Sequence, residues 1–554
     1  MSAVRSEASD AALALLSGLI SHGVRDLVLS PGSRSQALAL AATRLHRGGL
    51  LRVHVRIDER VAGFTALGLS RETGVPAAVV CTSGTAAGNL LPAAMEAFHA
   101  GVPLLLLTAD RPPELRGVGA NQATIQPGLF GEFARFASDG PVPGDGPFDW
   151  AGLAFTAVRA AVGADDGVRG PVHLNLPYRE PLSGGLPEVL DVVPGALPVA
   201  AASDPFVLER GPRTVVIAGS DAGPAAEAVS YDGSWPLIAE IVSGARFGRL
   251  LVHGYRALLR EPELGGRIER AVVLGHPTLS REVAALLSRT DVEVVAVRGG
   301  GEELNLNRVT RAVPAVSVAP GEADREWLGA WMTASAGQIV DLSEAAPDDE
   351  GLHSTDWHER GRAVKAELEA VRRPLDRALL ADAVWRATWP HDRLVFGSSR
   401  IVRVADDVLG GKKVPVHANR GLAGIDGTVA TAIGIALASQ AEGSPGVTRV
   451  LLGDLAFLHD VGALLLPTDE PAPRVQVLVG NDGGGTIFDA LEVAGSAPAS
   501  DLDRAFYTPH AADFSALAAA YGWTHHRVTT RAALDQLLVA PVTGPQLIEV
   551  SLTR

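Results

Sequence analysis

Three doubly wound α/β domains, each built on a parallel sheet, are the fold class that this 554-residue sequence predicts. Short, continuous apolar runs alternate with helix-like stretches, the pattern of a parallel sheet covered on both faces. The alternation breaks twice, over 195–213, rich in Pro, Ala and Ser, and over 343–359, acidic and polar and containing Pro347. Polar or glycine-rich turns follow many of the apolar runs, and in such sheets ligands bind beyond the carboxyl ends of the strands. The predicted domains are residues 1–194, 195–345 and 360–554, a number the length allows at about 100–200 residues each.

Taken in order, the first twenty residues read as a helix, and Asp26–Ser30 is a short strand. It enters the turn Ser30-Pro31-Gly32-Ser33-Arg34-Ser35, and a helix-like run follows from Gln36. Leu51, Val53, Val55 and Ile57 alternate with Arg52, His54, Arg56 and Asp58, a period-2 strand after which a helical pattern begins at Glu59. Ala77–Cys81 and Pro103–Thr108 are continuous apolar strands that leave through Thr82-Ser83-Gly84-Thr85 and Asp110-Arg111-Pro112-Pro113. The middle third restarts with strands at Thr214–Ala218, Ala271–Leu274 and Val292–Val297. The last third has them at Leu394–Phe396, Pro415–His417, Arg449–Leu452, Val475–Val479 and Leu547–Val550.

Composition narrows the function. Apolar residues make up 47% and charged residues 20%, enough to bury a core in each domain. The net charge of −15 disfavours nucleic acid and anionic membrane surfaces as partners. Anionic substrates would therefore need a local cluster of arginines. Cys81 is the single cysteine, so no intrachain disulfide forms, and a small core residue in a reducing cytoplasm is expected. Glu7 and Asp10 stand where a signal peptide carries basic residues. The apolar stretch Val450–Pro467 is interrupted by Asp454, His459 and Asp460 and reads as no membrane span. A soluble, cytoplasmic protein is expected. Gly219-Ser220-Asp221-Ala222-Gly223 lacks the full spacing of a dinucleotide loop.

The strongest chemical signal lies in the last third. One strand runs into Gly453-Asp454-Leu455 and another into Gly480-Asn481-Asp482-Gly483-Gly484-Gly485, with Asp454 and Asn481 twenty-seven positions apart. A carboxylate, an amide oxygen and a glycine-loop carbonyl form a hard-oxygen set suited to magnesium. Glycines there let the backbone approach a phosphate.

This pair of turns resembles the metal–diphosphate motif of thiamine-diphosphate enzymes, Gly-Asp-Gly followed at a set distance by Asn-Asn. Leu455 and Asp482 depart from it. Further segments are similar to the 2-succinyl-5-enolpyruvyl-6-hydroxy-3-cyclohexene-1-carboxylate synthases: Ser30–Ser35, Gly119-Ala120-Asn121-Gln122, Ala418-Asn419-Arg420-Gly421-Leu422-Ala423-Gly424-Ile425-Asp426-Gly427, Gly453–Asp460 and Gly484–Phe488. In that family the third position of the first turn is itself leucine. The resemblance runs from about Arg25 to Phe488, with a diffuse middle third.

It implies the thiamine-diphosphate enzyme fold, with the pyrimidine on the first domain of one chain and the diphosphate on the last domain of another. An obligate homodimer, or a dimer of dimers, follows. Asp454, Asn481 and the Gly483 carbonyl would bind Mg2+ or Mn2+. Gly453, Leu455, Gly484 and Gly485 would line the diphosphate site, and Ile425 would wedge the cofactor into its bent form. Glu59 would hydrogen-bond the far pyrimidine nitrogen; its position at a helix start alone would equally suit an interaction with the helix dipole. Both implied substrates, 2-oxoglutarate and isochorismate, are dicarboxylates, and guanidinium forks bind carboxylates bidentately. Ser33 with Arg34, Ser399 with Arg403, and Arg420 would hold them, Gln122 would contact substrate or adduct, and Arg281 is a weaker match. An acetolactate-synthase-like carboligase is the alternative within the cofactor class, but a small monocarboxylate needs fewer cationic anchors. A protein that only binds an effector is the alternative outside it, disfavoured by Glu59, Asp454 and Asn481 together.

Overall fold

The computed structural model describes residues 5–199, 203–343 and 348–554. In the first sheet, β1 (Asp26–Leu29), β2 (Arg52–Val55), β3 (Ala77–Cys81), β4 (Leu104–Asp110), β5 (Phe136–Asp139) and β6 (Pro171–Pro177) lie in the order β2-β1-β3-β4-β6-β5. All pairings are parallel. Every residue of β3, β4 and β6 is buried, which is why β3 and β4 read as unbroken apolar runs. Burial and then the neighbouring Glu59 carboxylate push the Cys81 thiol well above its usual range, so it is an inert core residue.

The middle third holds β7 (Phe206–Leu208), β8 (Thr214–Ala218), β9 (Leu237–Ala239), β10 (Arg270–Leu274), β11 (Glu293–Val297), β12 (Arg311–Val313) and β13 (Val316–Val318). Five form a sheet in the order β12-β11-β10-β8-β9, while β13 and β7 pair separately. The last sheet repeats the first. Its strands β14 (Arg393–Phe396), β15 (Val416–Ala418), β16 (Thr448–Gly453), β17 (Val475–Asn481), β18 (Thr524–Val528) and β19 (Gln546–Ser551) are ordered β15-β14-β16-β17-β19-β18.

Several details differ from the sequence expectation. The stretch 195–213 contains β7, a strand too short for periodicity to reveal, stabilised by its partner β13. The second stretch carries helix Asp349–Leu352 and the start of helix Trp357–Val371, while Pro347 lies outside the described residues. The alternating run at 51–57 forms a strand only over Arg52–Val55, and Ile57 is left exposed. Strand β6 escapes the apolar pattern because His173 and Asn175 are buried in it. Thr108 Oγ1 lies 2.8 Å from His173 Nε2, and Asn175 Nδ2 donates to Asp110 at 2.9 Å, so neither polar group is orphaned.

One hydrophobic core runs through the first and last sheets, from Val61, Phe64 and Leu67 to Ile433, Val450 and Val477. At its centre helix Glu59–Thr73 crosses helix Thr428–Ser439. A Cβ on Gly68 would sit 2.0 Å from the Thr431 carbonyl, and one on Gly434 would sit 2.1 Å from that of Thr65. The two helix backbones therefore meet at paired glycines, which fixes the first domain rigidly against the last.

Candidate active site

In both outer sheets chain order reverses between the first and third strands, and the turns beyond those strands flank the resulting crevice. In the last sheet Ser398 and Ser399 follow β14, and Gly453-Asp454 close β16. A cleft of about 1380 Å³ opens there between the last and middle domains. Arg281, Ser399, Arg403, Arg420, Ile425, Gly453, Asp454, Leu455, Gly484 and Gly485 all line it.

Asp454 is the first residue of helix Asp454–His459 and is almost fully buried. Its Oδ1 accepts from Leu455 N at 2.7 Å and its Oδ2 from Gly484 N at 2.8 Å, which ties the two glycine turns together. Burial, then the neighbouring Asp482 carboxylate, raise its pKa against the opposing pull of these donors. Asn481 ends β17, donates to Glu549 at 2.9 Å and accepts from Gly483 N at 3.1 Å through Oδ1. At Gly484 the backbone has φ 153°, and a Cβ there would meet the Tyr507 carbonyl at 2.4 Å, so only glycine fits. A buried carboxylate and a half-buried amide oxygen beside a glycine cradle fit a hard divalent cation and a phosphate group.

Seven arginines reach this cleft, and they divide into two kinds. Arg256, Arg260, Arg377 and Arg400 are each committed to a carboxylate, Asp406, Glu282, Asp482 and Asp489 respectively. Arg403 and Arg420 have no carboxylate at ion-pairing distance among the described residues, and Arg281 has only a long contact of 3.5 Å with the exposed Glu492. Burial, then the guanidiniums of Arg256 and Arg281, hold the pKa of Arg403 below its usual value. Burial, opposed by Glu240 and reinforced by Arg403, does the same to Arg420. Ser399 Oγ is buried without a hydrogen-bond partner. Uncompensated cations around an unpaired hydroxyl make a site for an anionic ligand.

The remaining predicted residues gather on the first sheet and do not line this cleft. Arg34 is buried, with its backbone N–H on Thr82 Oγ1 at 3.3 Å, Nη1 on the Tyr178 carbonyl at 3.0 Å and Nε without a partner. Ser33 beside it is exposed. Gln122, at φ 57°, donates through Nε2 to the Ser83 carbonyl at 3.0 Å, and its own carbonyl accepts from Ser83 Oγ at 2.9 Å. Glu59 starts its helix behind the cap Asp58 and is half-buried, with Asn89 Nδ2 3.5 Å from Oε2. A single chain thus presents the predicted residues in two separate groups, one on the first sheet and one between the middle and last domains.

Sequence reasoning missed several participants. Asp482, expected to matter less than Asn481, is largely buried, paired with Arg377, and accepts from Thr486 Oγ1 at 2.6 Å. The segment after 489 offered no usable motif, yet His510 Nε2 lies 3.1 Å from Asp454 Oδ2 and the Tyr507 carbonyl accepts from Gly485 N at 2.7 Å. No spacing signal marks either residue. Thr278 of the middle domain contacts Arg420 directly. Its neighbours in Pro277-Thr278-Leu279-Ser280-Arg281 were the only hint.

Comparison with known proteins places this geometry. Residues 9–129 match the thiamine pyrophosphate enzyme N-terminal TPP binding domain, and residues 412–550 match the C-terminal TPP binding domain. A 2-succinyl-5-enolpyruvyl-6-hydroxy-3-cyclohexene-1-carboxylate synthase of Leifsonia xyli subsp. xyli is 55% identical, covering 99% of this chain and 97% of that protein. One of Clavibacter michiganensis subsp. michiganensis is 51% identical, covering 99% and 96%. A crystal structure of benzoylformate decarboxylase from Polynucleobacter necessarius superposes with a TM-score of 0.66 over 99% of both chains at 16% identity, a likeness of fold alone. Half the residues are shared with relatives of one name along almost the whole length, and both cofactor-binding domains are in place. The chain belongs to the 2-succinyl-5-enolpyruvyl-6-hydroxy-3-cyclohexene-1-carboxylate synthase family.

Proposed function

We propose that this chain is a cytoplasmic, thiamine-diphosphate- and magnesium-dependent transferase of menaquinone biosynthesis. It removes carbon dioxide from 2-oxoglutarate and adds the succinyl unit to isochorismate, giving 2-succinyl-5-enolpyruvyl-6-hydroxy-3-cyclohexene-1-carboxylate. Family membership supports the reaction, and one observation of the site carries the substrate class. Arg281, Arg403 and Arg420, the arginines of the cleft without a close carboxylate, line the same cleft as Asp454. No described helix is long and apolar enough to cross a membrane.

In this reading Asp454, Asn481 and the Gly483 carbonyl hold Mg2+ or Mn2+, while Gly453, Leu455, Gly484 and Gly485 surround the diphosphate. Thiamine diphosphate, when bound, supplies the electron sink for decarboxylation. Ile425 would pack against it, and Glu59 of a second copy would hold a proton at the pyrimidine nitrogen. Ser33, Arg34 and Gln122 of that second copy close the cleft, so residues 1–194 serve the pyrimidine half and 360–554 the diphosphate half. The separation of the two residue groups supports this homodimer or dimer of dimers. The arginines and Ser399 fix the substrate carboxylates and exclude misoriented binding, which is where most of the protein's contribution to rate arises.

Substrate competition tests the reading. Carbon dioxide release should favour 2-oxoglutarate over pyruvate by about a hundredfold in kcat/KM. Arg403→Ala should remove about ten- to hundredfold of that preference, the worth of a charged hydrogen bond. Equal turnover of pyruvate by the unaltered chain would contradict the substrate assignment and leave the cofactor assignment standing.

A further inference from the structure

The guanidinium of Arg420 is held by another domain before any ligand arrives. Its Nε donates to Thr278 Oγ1 at 2.8 Å, Nη2 to the Thr278 carbonyl at 3.0 Å, and Nη1 to Ser398 Oγ at 3.2 Å. Thr278 therefore occupies the side of the guanidinium formed by Nε and Nη2. A guanidinium has five N–H donors, so one remains on each terminal nitrogen. With Ser398 on the Cδ-side hydrogen of Nη1, those two make an end-on fork of the kind that binds a carboxylate bidentately.

Thr278 is itself set from below. The buried Glu240 carboxylate accepts from Thr278 N at 2.9 Å and from Leu279 N at 2.7 Å, at the carboxyl end of the middle sheet. From the opposite side the buried Glu96, on the first domain, accepts from Gly421 N and Leu422 N at 2.8 Å each. Arg420 thus lies on a loop anchored by Glu96 of the first domain and faces a turn anchored by Glu240 of the middle domain, with Thr278 holding the Nε and Nη2 side of its guanidinium and Ser398 the remaining nitrogen.

We propose that Thr278, oriented by Glu240, is a positioning residue through which the middle domain aims Arg420 at a substrate carboxylate and sets selectivity for dicarboxylates. The proposal rests on the reading that Arg420 binds such a carboxylate. Without the hydroxyl the guanidinium turns toward other acceptors, and the fork must be re-formed at each binding event. Loss of one hydrogen bond to a charged group corresponds to about tenfold in affinity.

Steady-state kinetics with each substrate varied at saturating concentrations of the other tests it. Thr278→Val, which keeps the shape and removes the hydroxyl, should raise one KM about tenfold and leave kcat within about twofold. The affected substrate should be the one whose KM rises in Arg420→Ala. Thr278→Ser should restore the unaltered KM, and Thr278→Val should add nothing in the Arg420→Ala background. Unchanged KM values in Thr278→Val, beside a raised one in Arg420→Ala, would overturn the positioning role alone. So would a fall in kcat shared by Thr278→Val and Thr278→Ser with KM unmoved. If Arg420→Ala moves neither KM, the carboxylate reading falls and the proposal falls with it.

Discussion

Glutamine in place of Glu59 should lower turnover by about 10² to 10⁴, the loss typical of a removed proton-transfer role. The substitution keeps size and hydrogen-bonding capacity but cannot pass a proton to a ring nitrogen. Glu59 is half-buried at the first position of a helix already capped by Asp58, whose Oδ1 accepts from Arg60 N at 2.8 Å and Val61 N at 3.3 Å. The cap, not Glu59, holds the helix start, so the variant should fold and melt like the unaltered protein. A favourable helix-dipole interaction would be worth only about 0.3–1 kcal/mol of stability and nothing in rate. The two roles therefore separate cleanly. Turnover measured at saturating cofactor and both substrates should collapse while the melting temperature stays. Full turnover with a lowered melting temperature would return Glu59 to the purely structural role.

Alanine at Asp454 should weaken binding of thiamine diphosphate in the presence of magnesium by at least about a hundredfold. Two charge-assisted hydrogen bonds, from Leu455 N and Gly484 N, disappear with the carboxylate, and each is worth about 1.5–3 kcal/mol. The link that brings the two glycine turns together goes with them, as does one hard-oxygen ligand for the cation. Burial and the Asp482 carboxylate both disfavour the charged form of Asp454 when no cation is present. In the unliganded variant, relief of that penalty offsets part of the loss of these hydrogen bonds, so its melting temperature should fall by less than they would imply alone. Calorimetric titration would show the lost affinity, and thermal melts would show that added cofactor and magnesium no longer raise the melting temperature. Cofactor binding that survives this substitution would remove Asp454 from the metal site.

The outer sheets were legible because their central strands are buried on both faces and so announce themselves as apolar runs. Strand β6 was hidden by His173 and Asn175, whose polarity is compensated by Thr108 and Asp110 across the sheet, a pairing with no local signature. Strands β7 and β13 are three residues each and exist only through one another. The cleft residues were legible for a different reason. Arg403, Arg420, Ile425, Asp454 and Gly484 each lie in a turn just beyond a strand or in the helix that follows it. Thr278 lines the cleft from the middle domain, while Glu240 and His510 sit behind Thr278 and Asp454, and only tertiary structure reveals these contacts. Ser33, Arg34, Glu59 and Gln122 stand apart from the cleft, a separation that the proposed second copy of the chain would bridge.

The most direct test is carbon dioxide release from 2-oxoglutarate with thiamine diphosphate and magnesium, measured with and without isochorismate. Rapid release that depends on isochorismate and matches it mole for mole in product is the predicted result. Release at the same rate without isochorismate, or from pyruvate in its place, would contradict it.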